Sequence, residues 1–281
     1  MKGVDSLRPE LHAQLAPFLK TVGEASRSVL LLDYDGTLAP FRENRNHAYP
    51  YPGVTPVLQE IMSSGRTRVV IISGRDASEV IPLLNIRPNP EVWGIHGLQR
   101  LAIDGSNEMQ NLDERTLAGL SDAGRWLNYQ DLRHTAEFKT GSIAVHWRGL
   151  SEIEVEFLRS RVLLGWHPIA KHSELDLLEF DGGVEIRASQ ADKGEAVRTF
   201  LREIPTHAPV AYLGDDNTDE AAFLALEGRG LGILVRPKWR QTSAKLWLKP
   251  PRELLDFLAM WLHTTTGCNE LGSGAAAAVN R

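Results

Sequence analysis

The segment Asp33-Tyr34-Asp35-Gly36-Thr37-Leu38 combines two carboxylates, a glycine and a hydroxyl within a few residues. On an extended backbone, residues two apart project to the same side, so Asp33 and Asp35 would share one side while Tyr34 faces away. Two carboxylates in one small space repel, and so invite a divalent cation or a shifted pKa. Gly36 and Thr37 would turn backbone N–H groups toward an anion. Taken alone, the segment also reads as a polar turn. Ser73-Gly74-Arg75 offers a hydroxyl and N–H groups as a phosphate seat, or simply a helix N-cap. Lys193, in Asp192-Lys193-Gly194-Glu195, stands at an expected helix start. The helix dipole disfavours a cation there unless an anion or carboxylates hold it, the plain alternative being a surface lysine. Gly214-Asp215-Asp216-Asn217-Thr218-Asp219-Glu220 places four acids within six positions, directly after an apolar run. Such oxygen donors suit Mg²⁺, which takes few carboxylates and keeps water and phosphate oxygens.

These loops follow short apolar runs. Val29 to Leu32 stops at Asp33, Arg68 to Ile72 at Ser73, and Pro209 to Leu213 at Gly214; Gly230 to Val235 is a fourth run. Runs of this length bounded by turn residues read as strands of a parallel sheet covered on both faces. Helical patterns lie between them: Thr55 to Ser64 closing on Gly65, Lys193 to Glu203, Thr218 to Leu226, and Pro251 to His263 with Leu254, Leu255, Leu258 and Leu262 on one face. Strand, polar loop and helix in repetition predict an α/β fold with a doubly wound, mostly parallel, Rossmann-like sheet, whose ligand crevice lies at the carboxyl ends of the strands.

The middle of the chain reads differently. Ser142 to Trp147 alternates, with Ile143, Val145 and Trp147 on one face and Ser142, Ala144 and His146 on the other. Ser151 with Glu154 forms a capping box opening a helix to about Gly165. Leu175 to Phe180 and Val184 to Ile186 flank Asp181-Gly182-Gly183, a hairpin signal. One-sided strands with a helix predict an α+β insert over 102–188. The expected division is a discontinuous core of 1–101 and 189–265, the inserted unit, and a flexible, low-complexity tail over 266–281.

Composition sets limits. At 281 residues, a domain size of ~150 residues points to about two domains. Apolar residues make up 42% and charged residues 24%, which excludes global disorder. The net charge of −5 argues against a nucleic-acid protein with a broad basic surface, yet allows a small anion at one local site. The single cysteine, Cys268, excludes an internal disulfide and a Cys-rich zinc site, which fits a cytoplasmic setting. No apolar stretch approaches the ~20 residues of a membrane span, and the first 25 residues lack a signal-type apolar run, so no membrane association is expected.

The four loops, in this order, resemble the haloacid-dehalogenase-like phosphatase superfamily. By that resemblance Asp33 is the nucleophile, Asp35 the general acid and then base, and Ser73 and Lys193 hold the phosphoryl oxygens. Asp33, the Asp35 carbonyl and Asp215 would bind Mg²⁺, with Asp219 supporting them; Gly36, Thr37, Gly74 and Arg75 belong to the phosphate seat. A narrower resemblance, from about residue 28 to 262, is to the trehalose-6-phosphate phosphatase family. It rests on Leu32 to Ala39, Gly94-Ile95-His96-Gly97, Glu137-Phe138-Lys139, Ala144 to Arg148, Val184 to Arg187 and Gly214 to Glu220. It implies a cap domain in which Glu137, Lys139 and Glu185 meet the sugar or its charge, with His146, Arg148 and Arg187 in support; His96 is a further candidate substrate-binding residue. Gln99 stands where the family often has Glu, and Ala188 where Pro is common. The implied substrate is trehalose 6-phosphate, with sucrose 6-phosphate or a glycosyl-3-phosphoglycerate as the variant. The expected chain is a monomer or weak homo-oligomer. Two other readings use similar residues. A signalling receiver domain also clusters acids, Mg²⁺, a hydroxyl and a lysine, but places its acid pair on the first strand and needs no insert. A non-catalytic sugar-phosphate binder would not need every catalytic side chain.

Overall fold

Residues 8–42, 44–180 and 182–267 are described by the structure, a computed structural model. The chain opens with α1 (Pro9–Glu24), whose Leu11, Leu15, Leu19 and Val22 recur at helical spacing and are buried. It then runs through β1 (Ser28–Leu32), α2 (Val54–Ser63), β2 (Thr67–Ile72), α3 (Ala77–Leu84), β3 (Glu91–Gly94), β4 (Gln99–Leu101) and β5 (Asn107–Met109). A second set follows: α4 (Glu114–Tyr129), β6 (Ala136–Lys139), β7 (Ser142–His146), α5 (Glu152–Ser173), β8 (Leu175–Phe180) and β9 (Gly183–Ala188). The chain closes with α6 (Lys193–Glu203), β10 (Val210–Gly214), α7 (Glu220–Ala225), β11 (Leu231–Val235), β12 (Leu246–Leu248) and α8 (Arg252–Gly267).

The larger sheet has the order β12-β11-β10-β1-β2-β3-β4-β5, parallel from β12 to β3 and antiparallel beyond. Its central runs are apolar throughout because both faces are covered. Leu30 and Leu32 of β1 join one core with Leu15, Leu58 and Phe257, while Val29 and Leu31 join a second core with Val197, Phe200 and Phe223. Period-two alternation thus feeds two helical layers from one strand. From β1 the chain crosses to β2 on one side, and it later returns to β10 on the other. The carboxyl ends of β1 and β10 therefore form a switch point where side chains from two loops converge. Among the described residues, no helix is long and apolar enough to cross a membrane.

The smaller sheet, β6-β7-β9-β8, is antiparallel and comes from chain inserted between β5 and β10. Ile143, Val145, Val184 and Ile186 bury one face against Val162 and Trp166 of α5 and Leu127 of α4. The register Glu137↔Ala144↔Glu185 places the intervening polar side chains on the other face.

The structure departs from the expectations in several places. The helix opened by the Ser151–Glu154 capping box continues past Gly165 to Ser173. Gly165 is used there for close packing, since a Cβ would lie 2.1 Å from the Trp126 ring. The expected helix Thr218 to Leu226 begins as a 3₁₀ turn, Asn217–Asp219, and only then becomes α7. Asn107–Met109, assigned by sequence to the insert, pairs with β4 in the larger sheet. Residues 266 and 267 of the expected tail continue α8, and the rest of that tail lies outside the described residues.

Candidate active site

Asp33 is the first residue beyond β1, and its N–H donates to the Leu213 carbonyl of β10 at 2.9 Å. This sets its carboxylate beside the acidic loop that follows β10. Lys193, the first residue of α6 after the N-cap Asp192, donates to Asp33 Oδ1 at 2.6 Å and to Asp219 Oδ1 at 2.7 Å. Carboxylates therefore hold this cation at a helix N-terminus, where the dipole alone would oppose it. Thr37 Oγ1 donates to Asp33 Oδ2 at 3.0 Å. Asp219 is fixed from three further sides, by Tyr212 Oη at 2.6 Å and by the amides of Asp215 and Asp216 at 2.9 and 3.0 Å.

Carboxylate oxygens of Asp33, Asp215 and Asp219 all lie within 4.8 Å of one another, and all three residues are buried. Burial pushes the Asp33 carboxyl up to about 7, against the pull of Lys193. Burial, with Asp33, Asp219 and Asp216 close by, raises Asp215 well above the carboxylate range. Burial also opposes ionisation of Asp219, but Lys193, Tyr212 and the Asp216 amide outweigh it and hold its pKa low. One ammonium among three carboxylates leaves negative charge uncompensated. An all-oxygen donor set of this charge fits a hard divalent cation such as Mg²⁺. The Asp35 carboxylate is not part of the cluster, because Arg75 grips both its oxygens, Nε to Oδ2 and Nη2 to Oδ1, each at 2.6 Å.

Above these groups lies a cavity of about 840 Å³ between the carboxyl ends of the larger sheet and the polar face of the smaller one. Asp33, Asp35, Ser73, Gly74, Arg75, Lys193 and Asp215 line its floor. Glu137, Lys139, His146, Arg148 and Glu185 line its roof. Glu185 is buried and accepts from Lys139 Nζ at 3.1 Å and Ser142 Oγ at 2.8 Å, and its Oε2 lies 3.2 Å from His96 Nε2. Burial would raise the Glu185 pKa, but Lys139, His96 and Ser142 hold it well below the usual range. Burial lowers the His96 pKa, so this contact is a hydrogen bond from a neutral imidazole. His146 pairs with Glu137 Oε2 at 3.1 Å and sits edge-on to Phe180. Burial, with Lys139, Arg148 and Arg45 nearby, pushes its pKa down to about 4. Arg148 stacks over the Phe41 ring, 4.4 Å from its centroid.

Some expected site residues lie elsewhere. Gly36 and Thr37 do not line the cavity. The Gly36 N–H is used within its turn, on the Ala39 carbonyl at 2.7 Å, instead of facing an anion. Gly36 matters for another reason: its φ is +84°, and a Cβ would come within 2.1 Å of Asp215 Oδ2. The Arg75 N–H is likewise taken, by Ser73 Oγ at 3.1 Å, and α3 begins only after Asp76. The Arg75 side chain meets Asp35, not an open phosphate seat. Arg187 is buried away from the cavity lining, with Asp176 3.9 Å from its Nε. Gln99 Oε1 accepts from Ala77 N at 2.7 Å and so fixes the start of α3. Sequence reasoning missed Phe41 and Arg45, which lie in the loop after β1 and line the cavity. The available signal was their position, on the same polar loop that carries Asp33 and Asp35.

Comparisons with known proteins agree with this architecture. Solved haloacid-dehalogenase-like hydrolases from Bacteroides thetaiotaomicron and Bacillus subtilis superpose with TM-scores of 0.58 and 0.55 at 14% and 16% identity, covering 83% and 85% of this chain. They cover 98% of each of those chains, and the likeness defines the fold class as that of the haloacid-dehalogenase-like hydrolases. The profile of the trehalose-phosphatase family matches residues 31–250, and the chain belongs to that family. The C-terminal domain of Candida albicans trehalose-6-phosphate phosphatase has a TM-score of 0.75 at 23% identity, covering 88% of this chain and 96% of that one. A trehalose-phosphate phosphatase of Mycobacterium ulcerans is 27% identical over 256 residues, 82% of this chain and 60% of the relative. An uncharacterized glycosyl hydrolase of Mycobacterium tuberculosis is 30% identical over 257 residues, 86% of this chain and 19% of that protein. The chain thus spans from about a fifth to less than two thirds of the length of these curated relatives.

Proposed function

We infer that the protein is a Mg²⁺-dependent phosphatase acting on trehalose 6-phosphate through a covalent intermediate on Asp33. The observation that carries this reading is the cavity itself. Its floor joins Asp33, Asp35, Ser73, Lys193 and Asp215, and its roof presents Glu137, Lys139 and Glu185. The volume suits a disaccharide ester, within the several hundred Å³ usual for small-ligand sites. The elements from α4 to β9 are read as a cap over the core formed by the larger sheet.

Asp33 attacks phosphorus in line, the P–O bond to the sugar breaks, and the leaving oxygen takes a proton from Asp35. Water then attacks the phosphoryl group on Asp33, giving up a proton to Asp35 and releasing phosphate. Splitting hydrolysis in this way replaces one difficult displacement by two easier ones. Lys193 holds Asp33 in position and adds positive charge where the transferring oxygens gather. Asp35 accepts one hydrogen bond from Arg75 at each oxygen, which orients the carboxyl and leaves a lone pair on each for the transferred proton. Mg²⁺, held by Asp33 and Asp215 with Asp219 behind them, would supply neutralisation of the phosphoryl charge. Glu137, Lys139 and Glu185 would meet the sugar hydroxyls.

Phosphate release from a panel of sugar phosphates, with Mg²⁺ and with a chelator, tests the reading. Trehalose 6-phosphate is expected among the best substrates, with release stopped by the chelator and restored by Mg²⁺. A clear preference for sucrose 6-phosphate or a glycosyl-3-phosphoglycerate would keep the chemistry and overturn the sugar.

A further inference from the structure

Arg45 opens a single 3₁₀ turn, Arg45–His47, that Asn44 caps by accepting from Asn46 N at 3.1 Å. Its guanidinium has two acidic partners on different parts of the fold. Glu79 of α3 lies 3.1 Å from Nη2, and Glu137 of β6 pairs with Nη1. Its backbone carbonyl accepts from Arg75 Nη1 at 2.8 Å, and Arg75 is the residue that grips Asp35. One residue therefore touches the general-acid assembly through its backbone and the roof of the cavity through its side chain.

We propose that Arg45 is a positioning residue for the sugar end of the site, acting through Glu137; this rests on the reading that Glu137 binds sugar hydroxyls. An arginine in a loop would ordinarily lose much of its hold to side-chain motion. Here Glu79 of α3 holds the guanidinium from one side while Glu137 meets it from the other, and the planar fork serves two carboxylates at once. Glu137 is in turn held from the far side by His146, which burial keeps neutral and which therefore adds a hydrogen bond without a second charge. The acid is left with a fixed orientation toward the cavity, and the smaller sheet gains an ion pair that seats it on the larger one. Replacing the side chain leaves the carbonyl that receives Arg75. The perturbation should therefore fall on sugar recognition more than on the chemistry at Asp35.

Arg45→Gln, Glu137→Gln, the double variant and Arg45→Lys would be compared with the parent, all with Mg²⁺, on trehalose 6-phosphate and on p-nitrophenyl phosphate, which has no sugar. Arg45→Gln is expected to lower kcat/KM for the sugar phosphate about tenfold further than for p-nitrophenyl phosphate, mainly through KM. The double variant should lose little more than Glu137→Gln alone, and Arg45→Lys should recover part of the loss. Equal losses on the two esters, or additive losses in the double variant, would overturn the proposal. Hydrogen exchange in the substrate-free protein supplies a readout independent of the sugar. The β6 amides should exchange faster in Arg45→Gln, and unchanged exchange there overturns the seating role. If trehalose 6-phosphate is not turned over by the parent, the functional reading fails while the exchange result still decides whether Arg45 seats the smaller sheet.

Discussion

Glu185→Gln probes the roof of the cavity without altering its shape. In the parent, Glu185 is buried, 3% exposed, and contacts three groups: Lys139 Nζ at 3.1 Å, His96 Nε2 at 3.2 Å and Ser142 Oγ at 2.8 Å. A glutamine that keeps its oxygen toward Ser142 keeps it toward Lys139 as well, since both donate to Oε1, and its amide N–H₂ then faces His96. His96 tolerates this, since burial already keeps it neutral near pH 7. Lys139 keeps an acceptor but, with its side chain only 18% exposed, loses its counter-charge. Removing one partner of a buried pair typically costs 3–5 kcal/mol, and with His96 neutral the lower end, about 3 kcal/mol, applies. For a chain of this size that corresponds to a Tm lowered by roughly 6–12 °C at pH 7. The pH dependence follows from the depressed Glu185 pKa. The folded protein holds this proton less tightly than the unfolded chain, so the stabilisation is full above the ordinary glutamate pKa and fades as pH falls below it. Scanning calorimetry from pH 3.5 to pH 8 on parent and variant measures the gap. Equal Tm values at pH 7, or a gap that widens on acidification, would refute the reasoning.

Two further outcomes test the floor of the cavity. Asp33→Asn should abolish turnover while substrate affinity, measured by calorimetry, stays within about tenfold of the parent; substantial residual turnover would move the nucleophile elsewhere. Gly36→Ala should cost at least about 1 kcal/mol, because alanine is strained at positive φ. Its Cβ would also press on Asp215, so Mg²⁺ titration of the variant should show weakened binding, and parent-like binding would contradict the packing argument.

The fold was legible wherever both faces of a strand are covered. Val29 to Leu32 and Val69 to Ile72 have no polar face to confuse the pattern, and they end at Asp33 and Ser73, which line the cavity. Helix ends were less legible where glycine packs instead of terminating. Gly65 does follow α2 in a left-handed conformation, whereas Gly165 lies inside α5 because Trp126 needs the space. The same limit applied to Gly36, whose sequence context points to an N–H facing a bound anion, although that N–H is used on the Ala39 carbonyl and the residue packs against Asp215. Partner choice was the least legible feature. Nothing in the spacing of Ser73-Gly74-Arg75 tells that Arg75 reaches across to Asp35, forty positions away in the chain, because the tertiary fold alone creates that pair. Arg45 lay hidden for the same reason, with its partners on α3 and β6.

The acid balance of the chain bears on its proposed anionic substrate only through local geometry. Asp33, Asp215 and Asp219 with Lys193 carry a formal charge of −2 if all are ionised, and the protein relieves it by raising the pKa values of Asp33 and Asp215. The neighbouring pair Asp35–Arg75 is neutral overall and adds little to the field. With Asp33 and Asp215 both ionised, the metal-free floor would repel an approaching phosphate ester. A divalent cation matches the deficit and would keep Asp33 ionised, the state in which it can attack. The same charge arithmetic makes cation binding and substrate binding mutually dependent: Asp219→Asn should weaken phosphate-ester affinity measured by calorimetry with Mg²⁺, although Asp219 does not line the cavity.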